Sequence, residues 1–182
     1  LRSVADISKA KPWVREGNEI ARSMFQEAGA SPVPLPIPDV LTALQTGLID
    51  TVANSPVGAI ALQWFTQVRY LTKVPVLYAY ATLVLPRKAL NRLSPADAAV
   101  VREVLDDKLT KAGSANREDN AEALQALASQ GVEIIHPDPA QIARLQAIAD
   151  ETIDRLAGEL DIDTAMLRRV REAVRAERGR GS

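Results

Sequence analysis

Residues 29–56 read GASPVPLPIPDVLTALQTGLIDTVANSP, and this stretch decides the fold class. Prolines at 32, 34, 36 and 38 fall on alternate positions. Proline donates no amide hydrogen, so residues 30–35 fit an edge strand or polyproline segment, not a central strand. Pro38 and Asp39 open a helix, since an acidic residue belongs near the positive end of the helix dipole. Val40, Leu41, Leu44 and Leu48 form its expected buried face, and Gly47 caps it. Residues 49–53 then make a short strand ending at the polar turn Asn54-Ser55-Pro56. Strand, helix and strand in 28 residues read as one α/β unit.

Working outward, the same alternation continues. Upstream, residues 11–15 form a brief strand and residues 16–18 a turn. Ile20, Ala21, Met24, Phe25 and Ala28 then recur at helical spacing, stopped by Gly29. Residues 1–10 are a polar lead-in with one short helical turn around Asp6. Downstream, a helix is expected from Val57 to about Gln67, with Ile60, Leu62, Trp64 and Phe65 on it. Residues 70–85 are strand-like, and Pro75 divides them into two strands. Their near-continuous apolarity after Val74 fits burial on both faces.

Ser94-Pro95 is a helix start, an N-cap followed by proline at the first helical position. The helical pattern then persists to Gln130, with Gly113-Ser114 as the place for a bend and Gly131 as its stop. Such a length exceeds one small lobe and suits a helix that braces two. Residues 132–135 make another strand, and helices over 140–157 and 162–178 close the chain.

The composition excludes several classes. The 182 residues are 47% hydrophobic and 25% charged, with a net charge of −1, which offers no overall attraction to nucleic acid or an anionic membrane. There is no cysteine, so disulfides and thiolate metal sites are absent. No run of about 18 apolar residues is present for a membrane span. The one histidine, His136, sits in a His-Pro-Asp-Pro turn and reads as structural. Phosphate-binding glycine loops, HExxH and nucleophile elbows do not occur. No cofactor, metal site or catalytic constellation is therefore expected, and the chain does not read as an enzyme. Six arginines between Arg168 and Arg180 form the densest charge cluster. Without interleaved aromatics it is a solvated helix face and not a nucleic-acid surface.

Trp13, Asn54, Tyr78 and Tyr80 remain as candidate binding residues. Trp13 and Asn54 close their strands, and open α/β sheets bind ligands beyond the carboxyl ends of strands. The same residues read equally as core aromatics and a turn-forming asparagine.

Taken in order, five segments resemble the substrate-binding proteins of TRAP transporters, the DctP type. They are KPWVREG (11–17), the 29–56 block, QVRYLT (67–72), Leu93-Ser94-Pro95 and GVEIIHPD (131–138), and the resemblance covers roughly residues 5–158. It implies a periplasmic-binding-protein-like α/β fold: two lobes bridged by a long helix, here without the N-terminal part of one lobe. On that division residues 1–78 are a ligand-binding lobe. Residues 79–131 hold a crossover strand and the bridging helix, and 132–182 a return strand and closing helices.

The resemblance implies a periplasmic, non-enzymatic binder of a small organic solute. It would deliver that solute to the transporter's membrane permease, without inserting into the membrane or binding nucleic acid. The family commonly places a carboxylate-binding arginine where this chain has Trp13. Arg15, two residues on and on the same strand face, is the residue available to take over an anion. Relatives carry polar contacts where residues 75–80 read PVLYAY, whereas Asn54 keeps a polar cleft position. A pocket walled by Trp13, Tyr78 and Tyr80 would suit an apolar or ring-bearing acid.

The chain opens at Leu1, and relatives carry a further lobe-forming segment ahead of the first matched strand. Apolar sheet over 79–85 would then lack partners, and pairing with another chain, as in a homodimer, is an expected outlet. The competing class is a helical protein-binding module with a basic tail, which leaves the strand-rich first half unexplained.

Overall fold

The structure is a computed structural model and describes residues 1, 3–76, 82–160 and 162–180. They divide into two compact units: Leu1–Ala53 with Ile135–Ser182, and Asn54–Ile134. The described strands are β1 (Trp13–Arg15), β2 (Val33–Leu35), β3 (Tyr70–Thr72) and β4 (Glu133–Ile135). The helices are α1 (Glu19–Glu27), α2 (Val40–Thr46), α3 (Pro56–Ala61), α4 (Arg87–Leu90), α5 (Pro95–Ser129), α6 (Pro139–Glu159) and α7 (Thr164–Arg180).

In the first unit, β1 and β2 are parallel, with Trp13 opposite Val33 and Arg15 opposite Leu35. On the other side of β1 a single parallel bridge joins Pro12 to Thr51. Pro12 has no amide hydrogen, yet its carbonyl accepts from Val33 N at 2.8 Å, and Trp13 N donates to Thr51 O at 2.8 Å. The spatial order is therefore β2, β1, Thr51 segment. Parallel neighbours need a crossover, and α1 and α2 supply the two. Proline at 34 leaves β2 as the edge, as its composition requires.

Local signals set the ends of these elements. Gly29 has φ 86° beyond α1, with Gly29 N bonded to Gln26 O at 2.9 Å and Ala30 N to Phe25 O at 2.9 Å. Gly47 has φ 70° after α2. That left-handed turn takes the chain off the helical phase, which corrects the expected buried face: Val40 and Ala43 are buried, while Leu48 is 52% exposed. Residues 49–53 form one bridge and not a strand, although Ile49 is buried.

Val4, Ile7 and Ala30 make a small buried cluster, lined by Phe25 from α1 and by Leu145 and Ile148 from α6. Val4 N donates to Gln141 Oε1 at 2.9 Å and ties the N-terminal turn to α6. Asp138 caps α6 by accepting from Ala140 N and Gln141 N at 2.8 and 3.0 Å. Buried Thr152 spends its hydroxyl on Ile148 O at 2.8 Å, so it costs the core little. Arg171 on α7 pairs with Asp154 on α6, so the arginine-rich helix is more than a solvated end.

The second unit packs α3 against α5, and its core is Trp64, Ala123, Leu127 and Val132. The expected 57–67 helix is split: Gln63 adopts φ 58°, and Trp64–Thr66 continues as a 3-10 turn that buries Trp64 to 1% exposure. Ser94 caps α5 by accepting from Asp97 N at 3.1 Å. The helix runs 35 residues through Gly113, about 52 Å at 1.5 Å per residue. Beyond it, Gly131 has φ 88° and β4 pairs with β3, Glu133 N donating to Arg69 O at 2.9 Å.

The strand expected over 79–85 needs correction where it is described. Residues 82–85 are not strand, since strand-forming side chains hold no strand without a neighbouring ladder. Residues 77–81 lie outside the described residues. Val84 is 77% exposed, and Leu83, Leu85, Val100, Val104 and Leu109 are also exposed.

Candidate functional site

Burial along Trp13, Val14 and Arg15 runs half-buried, buried, exposed. Val14 therefore points into the core, and Trp13 and Arg15 share the other face with Val33 and Leu35. Trp13 Nε1–H donates to the Leu35 carbonyl at 2.9 Å. An indole has one donor, and this one is spent within the sheet, so the ring face is what Trp13 can offer a solute. Arg15 is different. Its guanidinium is exposed and, among the described residues, has neither a hydrogen-bond nor an ion-pair partner.

The order β2, β1, Thr51 segment has a functional consequence. The α1 crossover runs from β1 out to β2, and the α2 crossover returns past β1 to the Thr51 segment. Open parallel sheets bind ligands outside the carboxyl ends where the direction of crossover reverses. Within the first unit that point lies beyond Arg15 and the Thr51 segment, whereas Trp13, expected to close its strand, opens β1 at the other end. A depression of about 220 Å3 lies elsewhere, lined by Leu35, Asp39, Thr42, Ala43, Thr46 and Leu48. It is smaller than the 300–1,000 Å3 usual for ligand sites and contains none of the expected residues.

Asn54 opens the second unit, and its turn uses up the nearby backbone donors. Asn54 Oδ1 accepts from Ser55 N at 2.8 Å, which assigns the amide orientation, because a backbone N–H can only donate. Pro56 has no N–H. Val57 N donates to Asn120 Oδ1 on α5 at 3.3 Å, and Gly58 N donates to Ser55 Oγ at 3.1 Å. With those groups satisfied, the exposed Asn54 Nδ2 is the donor left at this turn, with no partner among the described residues. Two N–H groups with a fixed direction suit an oxygen acceptor such as a carboxylate.

Tyr78 and Tyr80 lie outside the described residues. His136 is exposed between β4 and α6. Among the described residues no group of three or more His, Asp or Glu side chains gathers as a metal site requires. Sequence reasoning missed Asn120, which donates to Asn116 O at 2.6 Å while receiving Val57 N. Its signal was its place on the face that also carries Ala123 and Leu127, one and two helical turns on.

The model of the bacterial extracellular solute-binding proteins of family 7, DctP, matches residues 1–159. The chain belongs to that family. The DctP match takes in every element through α6 and leaves α7 outside it. No curated protein matches the sequence.

Among solved structures, a TRAP periplasmic solute-binding protein from Ochrobactrum anthropi superposes with a TM-score of 0.78 at 21% identity, over 99% of this chain and 55% of that one. One from Bradyrhizobium sp. BTAi1, in complex with α/β-D-galacturonate, gives 0.73 at 25% identity, over 87% and 52%. One from Shewanella oneidensis with bound succinate gives 0.75 at 19%, over 87% and 52%. This DctP chain thus spans about half the length of the solved structures it matches. Its fold is that of the periplasmic binding proteins, and its helices include none long and apolar enough to cross a membrane among the described residues.

Proposed function

We propose that this chain is part of the extracytoplasmic receptor of a TRAP-type secondary transporter and captures a small carboxylic acid. The observation that carries the reading is the pairing on β1 of the Arg15 guanidinium, unpartnered among the described residues, with the half-buried ring of Trp13 on one strand face. Guanidinium matches a carboxylate bidentately, and an indole face matches an apolar or ring-bearing body. Asn54, whose Nδ2 has no partner among the described residues, is proposed as a further donor, and Tyr78 and Tyr80, which lie outside the described residues, are proposed as apolar contacts. Relatives with bound galacturonate, succinate and pyroglutamic acid all hold carboxylates, which supports this solute class.

In this reading residues 1–78 form a ligand-binding lobe. Residues 79–131 supply the crossover and the long helix, and 132–182 return the chain. A solute touching both lobes favours the closed state by its differential affinity, and the closed receptor hands it to the membrane permease. The protein works in the periplasm, performs no catalysis and needs no cofactor. Exposed apolar residues in the second unit give a reason for a homodimer.

The test is thermal stabilisation and calorimetry on the full chain with D-galacturonate, D-glucuronate, succinate, pyroglutamate and orotate. Stabilisation by at least one acid, lost in Arg15→Ala, is expected. Indifference to all five, with a defined protein partner recovered instead, would favour the helical module.

A further inference from the structure

We infer that Gly58 is a positioning residue for Asn54: its missing side chain is the space that lets the Asn54 amide aim its donors at the solute. The inference rests on the reading that Asn54 contacts the bound acid. It starts from a glycine that has no conformational reason to be there. Gly58 is the third residue of α3, in ordinary right-handed helix, where glycine is a poor choice of residue. Glycines at positive φ, Gly29 and Gly47 among them, serve a backbone that side chains rarely adopt; Gly58 does not.

What Gly58 lacks is room. A Cβ built there would stand 2.5 Å from Asn54 Oδ1 and 2.8 Å from both Cγ and Nδ2. Real carbon contacts do not come that close, so any larger residue must displace the amide. The displaced group is the end of a flexible, exposed side chain, and it can swing away without disturbing α3. Only the direction of Nδ2 would be lost, together with the Oδ1 bond to Ser55 N. Ser55 Oγ caps α3 by accepting from Gly58 N, and that bond survives a substitution because it uses backbone. Affinity and stability are therefore uncoupled at this position, as a positioning role requires.

The experiment is a double-mutant cycle of Gly58→Ala and Asn54→Ala in the full chain. It is read as affinity for the tightest acid of the panel above and as thermal midpoint. Each single variant should lose roughly tenfold or more in affinity, as expected for a lost hydrogen bond to a charged acceptor. The Gly58→Ala midpoint should stay level or rise, since alanine is the better helix former. On the Asn54→Ala background, Gly58→Ala should change affinity no further. Full affinity in Gly58→Ala while Asn54→Ala is weakened would overturn the positioning role, as would additive losses in the double variant. Full affinity in Asn54→Ala, or no binding by any acid of the panel, would overturn the underlying reading and the role of Gly58 with it.

Discussion

Trp13 offers a test that separates a ring from its nitrogen. In Trp13→Phe the aromatic face stays, but the indole N–H that reaches the Leu35 carbonyl at 2.9 Å is removed. Leu35 stands opposite Arg15 at the end of the β1–β2 register, so its carbonyl is left part-buried and without that donor. The net worth of such a bond is about 1 kcal/mol, rising to ~2 where the orphaned carbonyl stays dry. In a chain of this size 1 kcal/mol moves the melting midpoint by roughly 2–4 °C.

Trp13→Ala removes the ring as well. Full core truncation of tryptophan costs about 3–5 kcal/mol, and half-burial scales that to roughly 2 in addition to the lost bond. Urea unfolding followed by circular dichroism measures both variants, and calorimetry with the best-binding acid measures the ring's part in binding. Trp13→Phe should lose stability but keep affinity within about threefold, whereas Trp13→Ala should lose both. Equal stability losses in the two variants would refute the assignment of the difference to the ring. Unchanged stability in Trp13→Phe would refute the value given to the N–H bond.

Arg15→Ala should leave stability within about 0.5 kcal/mol, because the side chain is exposed and unpaired among the described residues, while weakening acid binding by tenfold or more. Equal affinity by calorimetry would remove Arg15 from the site. Gly47→Ala places a Cβ at φ 70° and should cost about 1 kcal/mol, whereas Gly113→Ala, in helix with nothing within 4 Å, should gain about as much. Opposite signs in chemical denaturation check that pair, and like signs would contradict it. Trp64→Ala empties the centre of the second unit and should cost about 3–5 kcal/mol, read as an early unfolding step in hydrogen exchange of α3 and α5. Protection of α3 unchanged from the parent would show that Trp64 does not hold that unit.

What the amino-acid sequence determined by itself is where elements begin and end. Ser94-Pro95, Ser55-Pro56, Gly29, Gly47 and Gly131 act within a few residues through caps, fixed φ angles and left-handed turns, so no distant partner is needed to read them. The alternate prolines likewise marked β2 as an edge from chemistry alone. Tertiary structure decided whatever depends on a neighbour far along the chain. Residues 49–53 carry strand composition but make one bridge, and 82–85 are not strand, because a ladder belongs to the pair and not to either member.

The candidate site divides in the same way. Arg15 and Trp13 on one face followed from strand alternation. The spent indole donor needed Leu35, which is 22 residues away. The N-terminus of α3 needed Asn120 on α5, 63 residues beyond Val57. Local torsions are legible in a string of residues, but the directions of hydrogen bonds appear only when distant segments meet.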